Sequence, residues 1–131
     1  MNSENKLILI VDDDADYLFQ MENMVKGLGF DVITAESQAD AEAILEETKP
    51  DLAIFDLMME QEDSGFILSY KAKRKHPDMP IIIASAATAE TGFTFDLYNE
   101  NDKNWIKADL YLEKGIRGDQ LHREINKLLK L

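Results

Sequence analysis

The sequence contains no cysteine, so a disulfide framework and thiolate metal sites are excluded. The absence fits a reducing cytoplasm, which is the expected compartment. Positive charge is scarce: 14 lysines and arginines face 26 aspartates and glutamates, for a formal net charge of -12. A surface field of that sign repels phosphate backbones and anionic lipid headgroups, so neither nucleic-acid nor membrane binding is expected. Long apolar runs are missing too. The polar start, Met1 to Lys6, leads into an apolar run of only Leu7 to Val11, too short for a signal-peptide core or a membrane span. No internal repeat, low-complexity segment or linker interrupts the chain. What remains is globular composition, 45% hydrophobic and 31% charged over 131 residues, near the size of one domain. One domain over residues 1–131 is the expectation.

Leu7 to Val11 is a continuous apolar run rich in β-branched residues, as suits a strand covered on both faces. Three aspartates end it. Tyr17, Leu18, Met21, Met24, Val25 and Leu28 then recur at three- and four-residue spacing, the stripe of an amphipathic helix that Gly27 and Gly29 punctuate. Phe30 to Thr34 reads as a second strand, and Ser37 as the N-cap of a helix whose apolar positions are Ala41, Ile44 and Leu45. Pro50 closes that unit. The pattern repeats with strand Leu52 to Phe55, a helix from about Gly65 to Lys75, and strand Ile81 to Ala84 after Pro77 and Pro80. From Thr88 to Lys107 the periodicity weakens. Leu110 to Leu112 is a short final strand, and Leu121, Ile125, Leu128 and Leu129 mark a last helix, with Asp119 as its candidate cap. Five strands alternating with helices imply right-handed crossovers and a parallel sheet between helix layers, a three-layer α/β sandwich.

In open parallel sheets ligands bind beyond the carboxyl ends of the strands. The first strand ends in Asp12 and Asp13, the third in Asp56, the fourth in Ser85 and Ala86, and Lys114 lies two residues past the fifth. Three carboxylates, a hydroxyl and an ammonium therefore share one edge. Carboxylates held together repel, and a proton or a bound cation relieves them; oxygen ligands without sulfur or imidazole favour magnesium or calcium, magnesium being the better fit. A cation beside Asp56 lets that carboxylate meet an anionic phosphoryl donor, with Lys114 neutralising charge on the transferring oxygens and Ser85 hydrogen-bonding one of them. The product is an acyl phosphate, and a modification there can shift a neighbouring strand end.

These residues resemble the receiver domains of bacterial two-component response regulators. The resemblance covers nearly the whole chain and is carried by Ile8 to Asp14, Asp51 to Met59, Pro80 to Ala86 and Ala108 to Lys114. It implies a flavodoxin-like fold with strand order 2-1-3-4-5. It implies Asp12 and Asp13 as the metal-binding acidic pair, Asp56 as phosphoacceptor and Met58 as the residue whose backbone carbonyl completes the magnesium site. Ser85 is then the phosphate-sensing hydroxyl, Lys114 the phosphate-pairing lysine and Tyr111 the aromatic switch. The implied partner is a histidine kinase or histidine phosphotransferase, with a downstream protein target possible, in a monomer or weak homodimer. A phosphoacceptor switch without an output domain is expected rather than a turnover enzyme.

The chain departs from that pattern in four places. Glu60 replaces the proline that usually follows Met59 and opens the acidic loop Glu60 to Asp63. Gly115 stands where a proline usually follows the lysine. The stretch between Ser85 and Lys114 is several residues longer than usual, so unusual partner recognition is expected. Met58 and Ala87 are apolar where fast self-dephosphorylation calls for polar side chains, so a long-lived phosphoryl group is expected. Two other readings are kept: a receiver-like scaffold that takes no phosphate, and a haloacid-dehalogenase-type phosphatase using Asp12 and Asp14, which leaves Asp56 unexplained. His76 and His122 read as surface residues, Trp105 as core or interface, and the methionines as packing.

Overall fold

Aliphatic runs rich in isoleucine and valine give strands covered on both faces. In the computed structural model, which describes residues 6–56, 64–85, 109–113, 115 and 117–130 (backbone alone at 64–66, 85, 111 and 113), they are β1 (Leu7–Val11), β3 (Leu52–Asp56) and β4 (Ile81–Ser85). β2 (Asp31–Ala35) and β5 (Leu110–Glu113) flank them, and all pairings are parallel in the order β2-β1-β3-β4-β5. This is the expected flavodoxin-like order. β2 lies one residue later than expected and β3, β4 and β5 run one residue longer; Phe30 is instead tucked under α1 (Ala15–Gly27), with its amide donating to Val25 O.

Side chains alternate along a strand, so each central strand feeds two cores. Leu9, Val11, Phe55, Ile81 and Ile83 pack with Leu45 of α2 (Gln38–Glu47) and Leu68 and Ala72 of α3 (Ser64–Lys75). Ile8, Ile10, Leu52, Ile54 and Ile82 pack with Leu18, Met21 and Val25 of α1 and Leu121 and Ile125 of α4 (Gly118–Leu129). Each fully buried aliphatic contributes about 1.5–3 kcal/mol, so the sheet is a stiff base for whatever sits at its ends.

Capping follows the residue chemistry. Asp14 caps α1, accepting from Asp16 N and Tyr17 N, and Ser37 caps α2, accepting from Asp40 N at 3.0 Å. α1 stops where Gly29 takes φ 102°, a left-handed conformation that suits glycine. α4 differs from expectation: its N-cap is Arg117, and Asp119 lies inside the first turn, where it forms an ion pair with the Arg117 guanidinium at 2.9 Å. A guanidinium has no acceptor, so the capping contact runs one way, from Arg117 N to Gln120 Oε1 at 3.5 Å.

Two acids fasten the amino end of the sheet. Asp51 N donates to Leu7 O while its Oδ2 accepts from Leu7 N, both at 2.8 Å, tying β3 to β1. Asp109 repeats the arrangement with Ile81, both bonds again 2.8 Å, tying β5 to β4, and its Oδ2 also pairs with Lys73 Nζ at 2.9 Å.

Candidate functional site

At the carboxyl end of the sheet β1 runs directly into Asp12, which is buried, with 1% exposed. Its amide donates to Ala35 O at 3.1 Å, continuing the β1–β2 ladder one residue beyond the strand, and its Oδ1 accepts from Asp14 N at 2.9 Å. That side-chain turn passes the chain to the Asp14 cap and leaves Asp13 exposed between them. Asp56 is the last residue of β3, opposite Ala84 of β4, and 5% exposed.

One carboxylate oxygen from each of Asp12, Asp13 and Asp56 lies within 4.8 Å of the others. Two unit charges about 4 Å apart repel by roughly 4 kcal/mol at the effective dielectric of a protein surface. The donor set answers which cation relieves this. All three ligands are hard oxygens, and a divalent ion holds oxygens about 2.0–2.6 Å from its centre, so up to about 5 Å from one another. Neither histidine belongs to the group: a His76 ring nitrogen is 3.1 Å from Leu45 O, and His122 packs edge-on against Phe30 with centroids 6.0 Å apart. The site fits magnesium or calcium and does not suit zinc or copper.

The remaining expected residues are placed only in part. Ser85 ends β4 opposite Glu113, and Tyr111 stands opposite Ile83 in β5; the side chains of both are outside the described structure. Lys114 is the residue after β5, one nearer the strand than expected, and it lies outside the described residues. So do Met58, the Glu60 to Asp63 loop, Ala87, Trp105 and the 88–107 segment. Gly115 is exposed, with open space where a Cβ would stand. Asp14, the second acid that a phosphatase of the haloacid dehalogenase type requires, is engaged in capping α1.

Sequence reasoning passed over Asp51 and Asp109. A signal existed, since each stands immediately before a strand, but nothing local names the partner strand. A groove of about 340 Å³ between α2 and α3 is lined by Leu45 and Arg74 and crossed by two ion pairs, Lys71 to Glu42 at 3.2 Å and Lys75 to Glu46 at 2.6 Å. The hydrogen bond from Gln38, then Lys71, holds the Glu42 carboxyl below its usual value against the opposing effect of burial. None of the three clustered aspartates lines this groove.

Among known proteins, a receiver domain protein from Methanospirillum hungatei shares the fold with a TM-score of 0.81 and 28% identity, over 97% of this chain and 95% of that one. The response regulator TrrA of Thermotoga maritima, solved in complex with magnesium and beryllofluoride, matches at a TM-score of 0.77 and 28% identity over 94% and 98%. The probable transcriptional regulator ycf27 of Porphyra purpurea is 33% identical across 99% of this chain, which spans 50% of that relative. The transcriptional regulatory protein GlrR of Escherichia coli K12 is 38% identical across 60% of this chain, which covers 18% of it. The chain thus spans about half the length, or less, of these curated relatives. The model of the response regulator receiver domain matches residues 8–126. Over nearly its whole length, therefore, the chain belongs to the receiver domains of two-component response regulators, a family of phosphoacceptor switches rather than turnover enzymes.

Proposed function

We propose that Asp56 accepts a phosphoryl group from a phosphohistidine of a kinase or phosphotransferase, or from a small acyl phosphate. The observation that carries this is the buried Asp56 carboxylate at the end of β3, gathered with Asp12 and Asp13 within 4.8 Å. An Asp56 oxygen attacks the phosphorus in line, and the bond to the donor's leaving atom, the imidazole nitrogen of a phosphohistidine or the acyl oxygen of an acyl phosphate, breaks with its electron pair leaving on that atom. Asp12, Asp13, Asp56 and the Met58 carbonyl would hold magnesium, which supplies positive charge against the transferring oxygens. Lys114 pairs with one phosphoryl oxygen, the Ser85 hydroxyl donates to another, and Tyr111 responds to the movement of Ser85. Met58 and Ala87 are apolar at the two positions where a polar side chain would orient an attacking water, so the phosphoryl group is long-lived.

Output passes through protein contacts, by binding a target or by handing the phosphoryl group along a relay, in a cytoplasmic monomer or weak homodimer. The net charge of -12 argues against direct nucleic-acid contact. Among the described residues no helix is long and apolar enough to cross a membrane.

The test is intact-protein mass after incubation with magnesium and acetyl phosphate. Wild type gains one phosphoryl mass and Asp56→Ala gains none. If neither gains mass, and beryllofluoride with magnesium leaves Trp105 fluorescence unchanged, the scaffold reading replaces this one.

A further inference from the structure

Among the described residues β5 is the edge of the sheet, paired there with β4 alone and only four residues long. An edge strand has one ladder where a central strand has two, so few hydrogen bonds hold its register. A slip of one residue would turn Leu110 and Leu112 away from the core they pack against and displace the chain beyond Glu113. The next residue is Lys114. The register sets Leu112 in the row of Ala84 and Asp56, so the lysine comes two residues beyond the phosphoacceptor row.

The other end of β5 carries the extra fastening. Asp109 exchanges two 2.8 Å hydrogen bonds with the backbone of Ile81, and the same Oδ2 holds Lys73 Nζ at 2.9 Å. One residue thus joins β5, β4 and α3. The Lys73 side chain is 19% exposed, less than the lysines of the other cross-element pairs among the described residues at 52% and 37%, so this ion pair is the least screened of those. Asp51 makes the same pair of hydrogen bonds with Leu7, but β3 has neighbours on both sides and needs the clamp less.

We propose that Asp109 is a positioning residue for phosphoryl transfer: clamped to Ile81 and Lys73, it fixes the register of β5 and thereby where the strand delivers the chain to Lys114, five residues further on in the sequence. The proposal rests on the reading of Lys114 as the lysine that pairs with the phosphoryl group. It predicts a split between metal binding and chemistry, because the carboxylates that would hold magnesium come from β1 and β3.

Wild type, Asp109→Ala, Asp109→Asn and Lys73→Met are compared in magnesium affinity, by amide NMR titration of Asp12 and Asp13, and in phosphorylation rate with acetyl phosphate at saturating magnesium. Magnesium affinity stays within about twofold in all four, while the rate falls about tenfold or more in Asp109→Ala, as misplacement of a reacting group by about an ångström does. Asp109→Asn recovers most of the rate, since its amide oxygen still accepts from Ile81 N, and Lys73→Met loses about threefold on this scale. An unchanged rate in Asp109→Ala overturns the proposal, as does a parallel loss of magnesium affinity and rate. Should Asp109→Ala fail to fold, Lys73→Met decides, and a wild-type rate there overturns it. A wild type that takes no phosphoryl group removes the functional reading itself, an outcome visible before any variant is compared.

Discussion

The two ends of this sheet use the same side chain for opposite purposes. At the amino end Asp51 and Asp109 each accept a backbone hydrogen bond from the neighbouring strand, and Asp109 adds an ammonium partner. At the carboxyl end Asp12, Asp13 and Asp56 converge to within 4.8 Å. The first arrangement spends carboxylates on holding strands in register. The second concentrates negative charge where folding gains little from it and a cation gains a site. Strand fastening and the candidate cation site are thus separated along the length of the sheet.

The largest expected effect concerns the cation. Magnesium at about a hundred times its dissociation constant should stabilise the wild type by about 2.7 kcal/mol, read as a shift in the urea midpoint, and Asp13→Asn should lose most of that gain. Equal gains in both proteins would break the contrast between the two ends. Next comes an opposition of sign measured without divalent ions. Asp109→Ala should lower stability by about 1–2 kcal/mol and Asp51→Ala by about 1 kcal/mol, because each leaves a strand-end amide without its acceptor. Asp13→Asn should instead raise it by roughly 0.5–2 kcal/mol through relief of repulsion. Urea denaturation of the three variants checks the signs, and a shared sign would erase the distinction.

The smallest effect sharpens the comparison with a carboxylate that is paired yet exposed. The Arg117 guanidinium holds the Asp119 carboxyl down to about 2, chiefly through their hydrogen bond. Because the folded value is depressed, the pair contributes fully above the ordinary aspartate value of about 3.9 and is lost as pH falls through about 2. Both side chains are well exposed, so salt should weaken the pair and global stability should barely respond. Carboxyl NMR should show Asp119 titrating near 2, and in the ordinary range in Arg117→Gln.

Much of this was legible locally. Ile81 to Ala84 and Leu7 to Val11 read as strands because unbroken aliphatic runs have few other places to go, and the stripe from Tyr17 to Leu28 reads as a helix because its period is that of a helix face. The Ser37 cap was legible for the same reason: its partner, Asp40 N, is three residues away. Asp119 misled because an acid near a helix start usually caps it, whereas here Arg117 occupies that position and claims the carboxylate as an ion partner. Position after a strand identified Asp12, Asp13 and Asp56 as candidates, since parallel sheets put all carboxyl ends on one edge.

By itself the sequence determined the alternation of strands and helices, the buried character of the central strands, and the acids that end β1 and β3. These properties arise from interactions within a few residues of chain, where spacing and side-chain chemistry suffice. Only the tertiary structure decided that oxygens of Asp12, Asp13 and Asp56 stand within 4.8 Å, and that Asp51 and Asp109 fasten Leu7 and Ile81. Each of these depends on which strand lies beside which and in what register, and that is settled by packing all the apolar faces at once.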